Sequence, residues 1–120
     1  MAVENIEGYE VIERRYLNPA YEYFFLRVAG DSMDLIAPEG SLVLIQKEDS
    51  IENGEIGIVL IDRQEATMKK VFIQQNIVTL LPMSTNRNHQ IQVYDCEKTD
   101  IKIIGKAVKI IQQTDLVKAK

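Results

Sequence analysis

The chain has 120 residues, 14 of them basic and 18 acidic, for a net charge of −4. That length suits one domain with a modest core, and the acidic balance lacks the clustered Lys and Arg needed to hold a DNA backbone unaided. Hydrophobic residues make up 46%, yet no apolar run approaches a membrane span, and Met1-Ala2-Val3-Glu4-Asn5 lacks the basic region and apolar core of a signal peptide.

The first twenty residues are mixed. Tyr9-Glu10-Val11-Ile12 reads as a short edge strand, and Glu13-Arg14-Arg15-Tyr16-Leu17 as a helical turn stopped by Asn18-Pro19. Tyr23 to Ala29 is aromatic and aliphatic and predicts a buried strand. It ends in Gly30-Asp31-Ser32-Met33, where a glycine permits a sharp turn. Met33-Asp34-Leu35-Ile36 predicts one turn of helix, capped by Asp31 or Ser32 and ended by Pro38-Glu39-Gly40. Beyond that point the punctuation is that of β-structure. Strands are expected at Ser41–Ile45, Ile56–Ile61, Ala66–Ile73, Ile77–Leu81 and Ile91–Tyr94, with turns at Asn53-Gly54, Asp62-Arg63-Gln64 and Gln74-Gln75-Asn76. Pro82 to His89 is a polar loop. The last element, about Ile101 to Ile111, is apolar on both faces with lysines interspersed, as in an edge strand that pairs with a partner chain. Lys118-Ala119-Lys120 reads as a frayed end. Regular strands with almost no helical period predict a mainly-β domain of several short, bent antiparallel strands.

The chemistry concentrates on Ser32. A serine hydroxyl attacks a carbonyl only when a neighbour takes its proton. His89, the one histidine, sits in a polar run, so a Ser-His-Asp triad is poorly supported. The other workable base is a lysine kept neutral by burial. Glu65-Ala66-Thr67-Met68-Lys69-Lys70-Val71 offers one in a strand, where alternation points Lys69 and Lys70 to opposite faces. The pairing expected is Ser32 with Lys69. Backbone N–H groups at the turn, those of Asp31 and Ser32, are the candidate oxyanion donors. Each signal has a plainer reading when taken alone. Asp-Ser is a good helix cap, Lys-Lys on a strand is usually a solvated face, and Met33 is ordinarily core. Cys96 is most simply inert and His89 most simply exposed. Cys96 is also the only cysteine, which excludes an internal disulfide and points to a reducing cytoplasm. No metal-ligand cluster, phosphate-binding glycine loop or dinucleotide fingerprint is present, so neither metal nor cofactor is expected.

Several stretches together resemble the C-terminal domain of LexA-type repressors, shared by UmuD and the lambda-type phage repressors. They are Phe25 to Met33, Thr67-Met68-Lys69-Lys70-Val71, Leu80-Leu81-Pro82 and Ile104-Gly105-Lys106-Ala107-Val108, with Ile6-Glu7-Gly8-Tyr9 upstream. The resemblance covers nearly the whole chain. It implies a mainly-β fold and a serine–lysine dyad that cleaves its own chain, with Ser32 as nucleophile and Lys69 as base. It also implies a substrate-positioning role for Met33, and dimerisation through the C-terminal strand, about Ile101–Ile111. The RecA–single-stranded-DNA filament is the implied trigger. DNA would be met only through an N-terminal domain that this chain lacks.

The resemblance is incomplete in one respect. The bond cut in such repressors is usually Ala-Gly or Cys-Gly, tens of residues before the serine, and here the only Ala-Gly is Ala29-Gly30, running straight into the nucleophile. The chain is therefore expected to be one peptidase and dimerisation domain over residues 1–120, without its own scissile bond. The expected function is the self-cleaving serine peptidase domain of a cytoplasmic LexA-like or phage-type repressor of the SOS response. The alternatives are a dimerisation or sensing module that does not cleave, and a UmuD-like polymerase accessory. A membrane signal peptidase is disfavoured by the missing span.

Overall fold

The strand-forming runs pair into a single antiparallel sheet. The computed structural model describes residues 2–5 and 17–111, so the readings of Tyr9–Ile12, of most of the 13–17 turn and of 118–120 fall outside the described residues. Eight strands follow in chain order: β1 (Ala2–Asn5), β2 (Tyr23–Ala29), β3 (Leu42–Lys47), β4 (Ile56–Ile61), β5 (Glu65–Gln74), β6 (Ile77–Leu81), β7 (Gln92–Asp95) and β8 (Ile101–Ile111). Their order across the sheet is β1-β2-β3-β8-β4-β5-β6-β7. No helix occurs among the described residues. The mainly-β expectation therefore holds, and seven strands lie within a residue or two of where apolar alternation placed them. β1 was not anticipated, because four mixed residues carry no period of their own.

Two elements differ from expectation. β8 is not an edge strand: it lies between β3 and β4. It pairs with β4 over residues 101–106 and with β3 over residues 105–111, so Gly105 and Lys106 are bonded on both sides. On the β4 side residues 107–111 keep an edge that no described strand covers, and on the β3 side residues 101–104 do. The apolar character of both its faces thus reflects a central position. Asn53-Gly54 does form a turn, but β3 and β4 are not neighbours and it closes no hairpin. Instead the Asn53 side chain acts as a strand surrogate, donating to Ile73 O at 3.1 Å and accepting from Ile73 N at 2.7 Å.

The sheet curls. Register shifts at Leu44/Ile45 and at Ile58/Val59 bend the central strands, as bulges do. At Gly105 the backbones close in, and a Cβ there would lie 2.8 Å from Gln46 O. The curl carries β1 against β5, although four strands separate them in the sheet order. This closure brings the end of β2 to the start of β5. One buried cluster, with Leu26, Val28, Met33, Val43, Ile45, Ile58 and Met68, fills the space under that junction. A second, with Val59, Ile61, Val71, Val78, Leu80 and Ile103, holds the other half of the sheet. Among the described residues no helix is long and apolar enough to cross a membrane.

Candidate active site

β2 ends at Ala29, and Gly30 follows with φ of 83°, a conformation open to glycine without strain. The chain turns through Asp31–Ala37 by bonds from Asp34 N to Asp31 O (3.2 Å), Ile36 N to Met33 O (2.9 Å) and Ala37 N to Met33 O (2.7 Å). These are successive turns, not the helix expected, and neither Asp31 nor Ser32 caps them. Both side chains are engaged elsewhere: the Asp31 carboxylate faces His89, and the Ser32 hydroxyl faces Lys69.

Met33 is wholly buried in the cluster beneath the turn, so it does not line the cleft. Its expected part in substrate positioning gives way to a structural one. An unbranched thioether fills the space under the serine, and its Sδ lies 3.3 Å from Met83 N.

Ser32 and Lys69 meet. Lys69 Nζ lies 3.2 Å from Ser32 Oγ and 2.7 Å from Thr67 Oγ1. Ser32 and Thr67 are 1% exposed and Lys69 is 4% exposed. Thr67 and Lys69 are two apart on β5 and so share a face, while Lys70 points the other way and is only half-buried. Burial holds the Lys69 amine below the ordinary lysine range, and the negative charge of Glu65 opposes this in part. Among the described residues no carboxylate forms an ion pair with Lys69. In the sequence Thr67 stands out only by its spacing of two from Lys69, which puts both on one face of a strand.

Of the two oxyanion candidates, the Ser32 amide donates to no acceptor among the described residues. Hydrogen bonds from His89 and Asn86, and to a lesser extent its own backbone N–H, hold the Asp31 carboxyl below the ordinary aspartate range. Ser32 O accepts from Met83 N at 3.0 Å, which fixes the peptide plane after the serine.

A cleft of about 400 Å³ opens over the pair. Ser32, Glu65, Thr67 and Lys69 form one side and residues 88–92 the other. His89 is therefore not simply exposed. Its side chain is 33% exposed and its Nε2 lies 2.5 Å from Asp31 Oδ1, which makes it part of the cleft wall but not a base for Ser32. A larger concavity of about 510 Å³, bounded by Tyr21, Lys47, Glu48 and Lys102, does not touch Ser32 or Lys69. Among the described residues no group of His, Cys, Asp and Glu is arranged to hold a metal.

Comparison with known proteins agrees with this geometry. The family model described as Peptidase S24-like matches residues 1–108. A LexA repressor of Clostridium kluyveri is 42% identical over 114 residues, which is 94% of this chain and 53% of that protein. A LexA repressor of Thermotoga petrophila is 34% identical over 113 residues, 93% of this chain and 55% of the relative. One from Pseudothermotoga lettingae is 33% identical over 115 residues, 92% and 56% respectively. The chain spans about half the length of the curated relatives it matches.

Proposed function

Because the chain belongs to the Peptidase S24-like family, we propose that it is a serine endopeptidase domain of a LexA-like repressor in which Ser32 is the nucleophile and Lys69 the base. The observation that carries this is a buried lysine amine 3.2 Å from a buried serine hydroxyl, with no carboxylate in ion-pair contact among the described residues. A neutral amine has two N–H donors and one lone pair. Thr67 Oγ1 accepts one N–H at 2.7 Å, which leaves the lone pair free to face Ser32.

The chemistry follows from that orientation. Ser32 Oγ attacks a peptide carbonyl as its proton passes to Lys69 Nζ. The developing oxyanion is met by the Ser32 amide, which has no other acceptor among the described residues. The Lys69 ammonium then gives the proton to the departing amine, leaving an ester on Ser32. Water loses a proton to the same amine and attacks the ester; the Lys69 ammonium returns that proton to Ser32 Oγ as the C–O bond breaks, which frees the carboxyl product and restores the hydroxyl.

The register of β1 supports a substrate in the same polypeptide. β1 runs antiparallel to β2 with Ala2 opposite Ala29, three residues before Ser32. Any chain leading into β1 is thereby aimed toward the serine turn. In a repressor of the relatives' length, cutting there separates a DNA-binding part from this one. The edge of residues 107–111 that no described strand covers supports self-association, through an antiparallel pairing of two copies of β8. A dimer holds two DNA-binding parts at one operator, so cutting costs the affinity that comes from linkage. The RecA filament fits as a trigger that favours the cleavable arrangement without supplying catalytic groups.

The test is incubation of the chain, its Ser32→Ala and its Lys69→Ala variants with a separate polypeptide carrying an Ala-Gly loop, read by mass spectrometry across neutral to alkaline pH. Cleavage should rise with pH and reach half its maximum below the ordinary lysine value of 10.5, because burial favours the neutral amine. Both variants should be inactive. Absence of cleavage at every pH in a folded wild type refutes the peptidase assignment and leaves a dimerisation module.

A further inference from the structure

The loop that faces the dyad is tied to the serine turn residue by residue. Met83 N donates to Ser32 O at 3.0 Å, and Leu35 N donates back to Met83 O at 3.0 Å. Ser84 Oγ donates to Asp31 O at 2.6 Å. Thr85 gives its N–H and its hydroxyl to the two oxygens of Asp34, at 2.8 and 2.6 Å. Asn86 Nδ2 reaches Asp31 Oδ2 at 3.1 Å, and His89 Nε2 lies 2.5 Å from Asp31 Oδ1. Both oxygens of Asp31 are thus spent on a segment more than fifty residues away in sequence. Of these loop residues His89 alone lines the cleft.

We infer that His89, held by Asp31, is a substrate-positioning residue: it fixes residues 88–92 as the wall against which an extended polypeptide lies while Ser32 reaches its carbonyl. This rests on the peptidase assignment and adds to it the part that selects and orients the substrate. His89 N donates to Asn86 O at 3.4 Å, whereas Gln90 and Ile91 precede β7 with no backbone partner among the described residues, so their backbone groups are open to a peptide laid alongside. A peptide can add main-chain bonds to such a segment only if the segment is held still, because the cost of ordering it would otherwise be charged against binding. Asp31 is the residue before the nucleophile, so one carboxylate ties the wall to the serine and sets the distance between them.

The experiment compares wild type, His89→Ala and His89→Gln. Glutamine keeps an N–H that can reach Asp31 Oδ1. Hydrogen exchange at the amides of Thr85 and Asn88 reports the loop, and KM and kcat for an Ala-Gly polypeptide report the reaction. Anisotropy of the same labelled polypeptide reports binding without cleavage. His89→Ala should speed exchange and raise KM about fivefold, the scale of one partly exposed charge-assisted hydrogen bond. It should leave kcat within about twofold, and His89→Gln should restore both readouts. A general loss of stability would not separate KM from kcat or be rescued by glutamine. Equal KM or equal binding in wild type and His89→Ala overturns the inference, as does failure of His89→Gln to rescue. A wild type that binds the polypeptide in a His89-dependent way yet never cuts it refutes the peptidase assignment and leaves the wall standing. A wild type that neither binds nor cuts overturns both.

Discussion

Replacing Lys69 by methionine should make this protein more stable, and the way that gain depends on pH tests whether the amine is poised as a base. Lys69 is 4% exposed and its only described side-chain partners are two hydroxyls, at 3.2 and 2.7 Å. A buried ammonium without a counter-charge costs several kcal/mol. Methionine matches the length of the lysine stem and removes that cost. It also removes two hydrogen bonds of about 1 kcal/mol each and leaves the hydroxyls of Ser32 and Thr67 to find other partners. The net expectation is a gain of about 2 kcal/mol at pH 7.

The sign of the pH dependence follows from proton linkage. Burial lowers the folded-state pKa of Lys69 below the ordinary 10.5. Between that depressed value and 10.5 the unfolded chain binds more protons than the folded one, so wild-type stability climbs with pH across this window. Below the window both states are protonated and this contribution is flat. The methionine variant has no such climb. Urea denaturation of both proteins from pH 7 to above the ordinary lysine value should therefore show a gap that shrinks as pH rises, and that reverses by about 1 kcal/mol once the wild-type amine is neutral in both states. Other groups titrate in both proteins and cancel in the difference. A variant that is less stable at pH 7, with a gap unchanged to pH 10.5, would mean that the ammonium is compensated in the fold. The argument for Lys69 as a resting base would then fail.

Three further outcomes are expected. Thr67→Val keeps the shape of the side chain but removes the acceptor 2.7 Å from Nζ, so kcat for peptide cleavage should fall about tenfold with KM nearly constant, as loss of one orienting hydrogen bond predicts. Gly105→Ala should cost about 1–3 kcal/mol in chemical denaturation, because its Cβ would meet the Gln46 carbonyl at 2.8 Å; Gly57→Ala should cost less, its nearest obstacle being the movable Ile51 Cδ1 at 2.5 Å. Val108 is the residue that the β3–β8 register skips, so Val108→Pro should weaken self-association in sedimentation at least about tenfold by removing a backbone donor from the uncovered half of β8 while circular dichroism stays native.

The strands were legible because each carries its own signal. Tyr23–Ala29, Ile56–Ile61, Ile77–Leu81 and Ile101–Ile111 are apolar runs bounded by turn residues, and local chemistry alone sets their limits. β1 has no such signal; it is a strand because β2 offers it an edge. The same limit applied to β8. Two apolar faces say that a strand is covered, but not whether a neighbour in the same chain or in another copy covers it.

At the site, the sequence by itself determined the parts: a glycine turn that presents a serine, and a strand on which Thr67 and Lys69 must share a face because side chains alternate. It named Ser32 and Lys69 as partners because the chain holds one histidine and no better base. Only the tertiary structure decided the rest. It buried Lys69 and left Lys70 half-buried, because the face of β5 that turns inward is set by its pairing with β4 and β6. It put Met33 under the turn instead of in the cleft, and it moved His89 from an open loop to the side of Asp31. These outcomes depend on contacts made by residues 37 to 58 positions apart. Such contacts exist only after bulges curl the sheet and bring β1 against β5. No local period encodes that curl, since it arises from the packing of all eight strands at once.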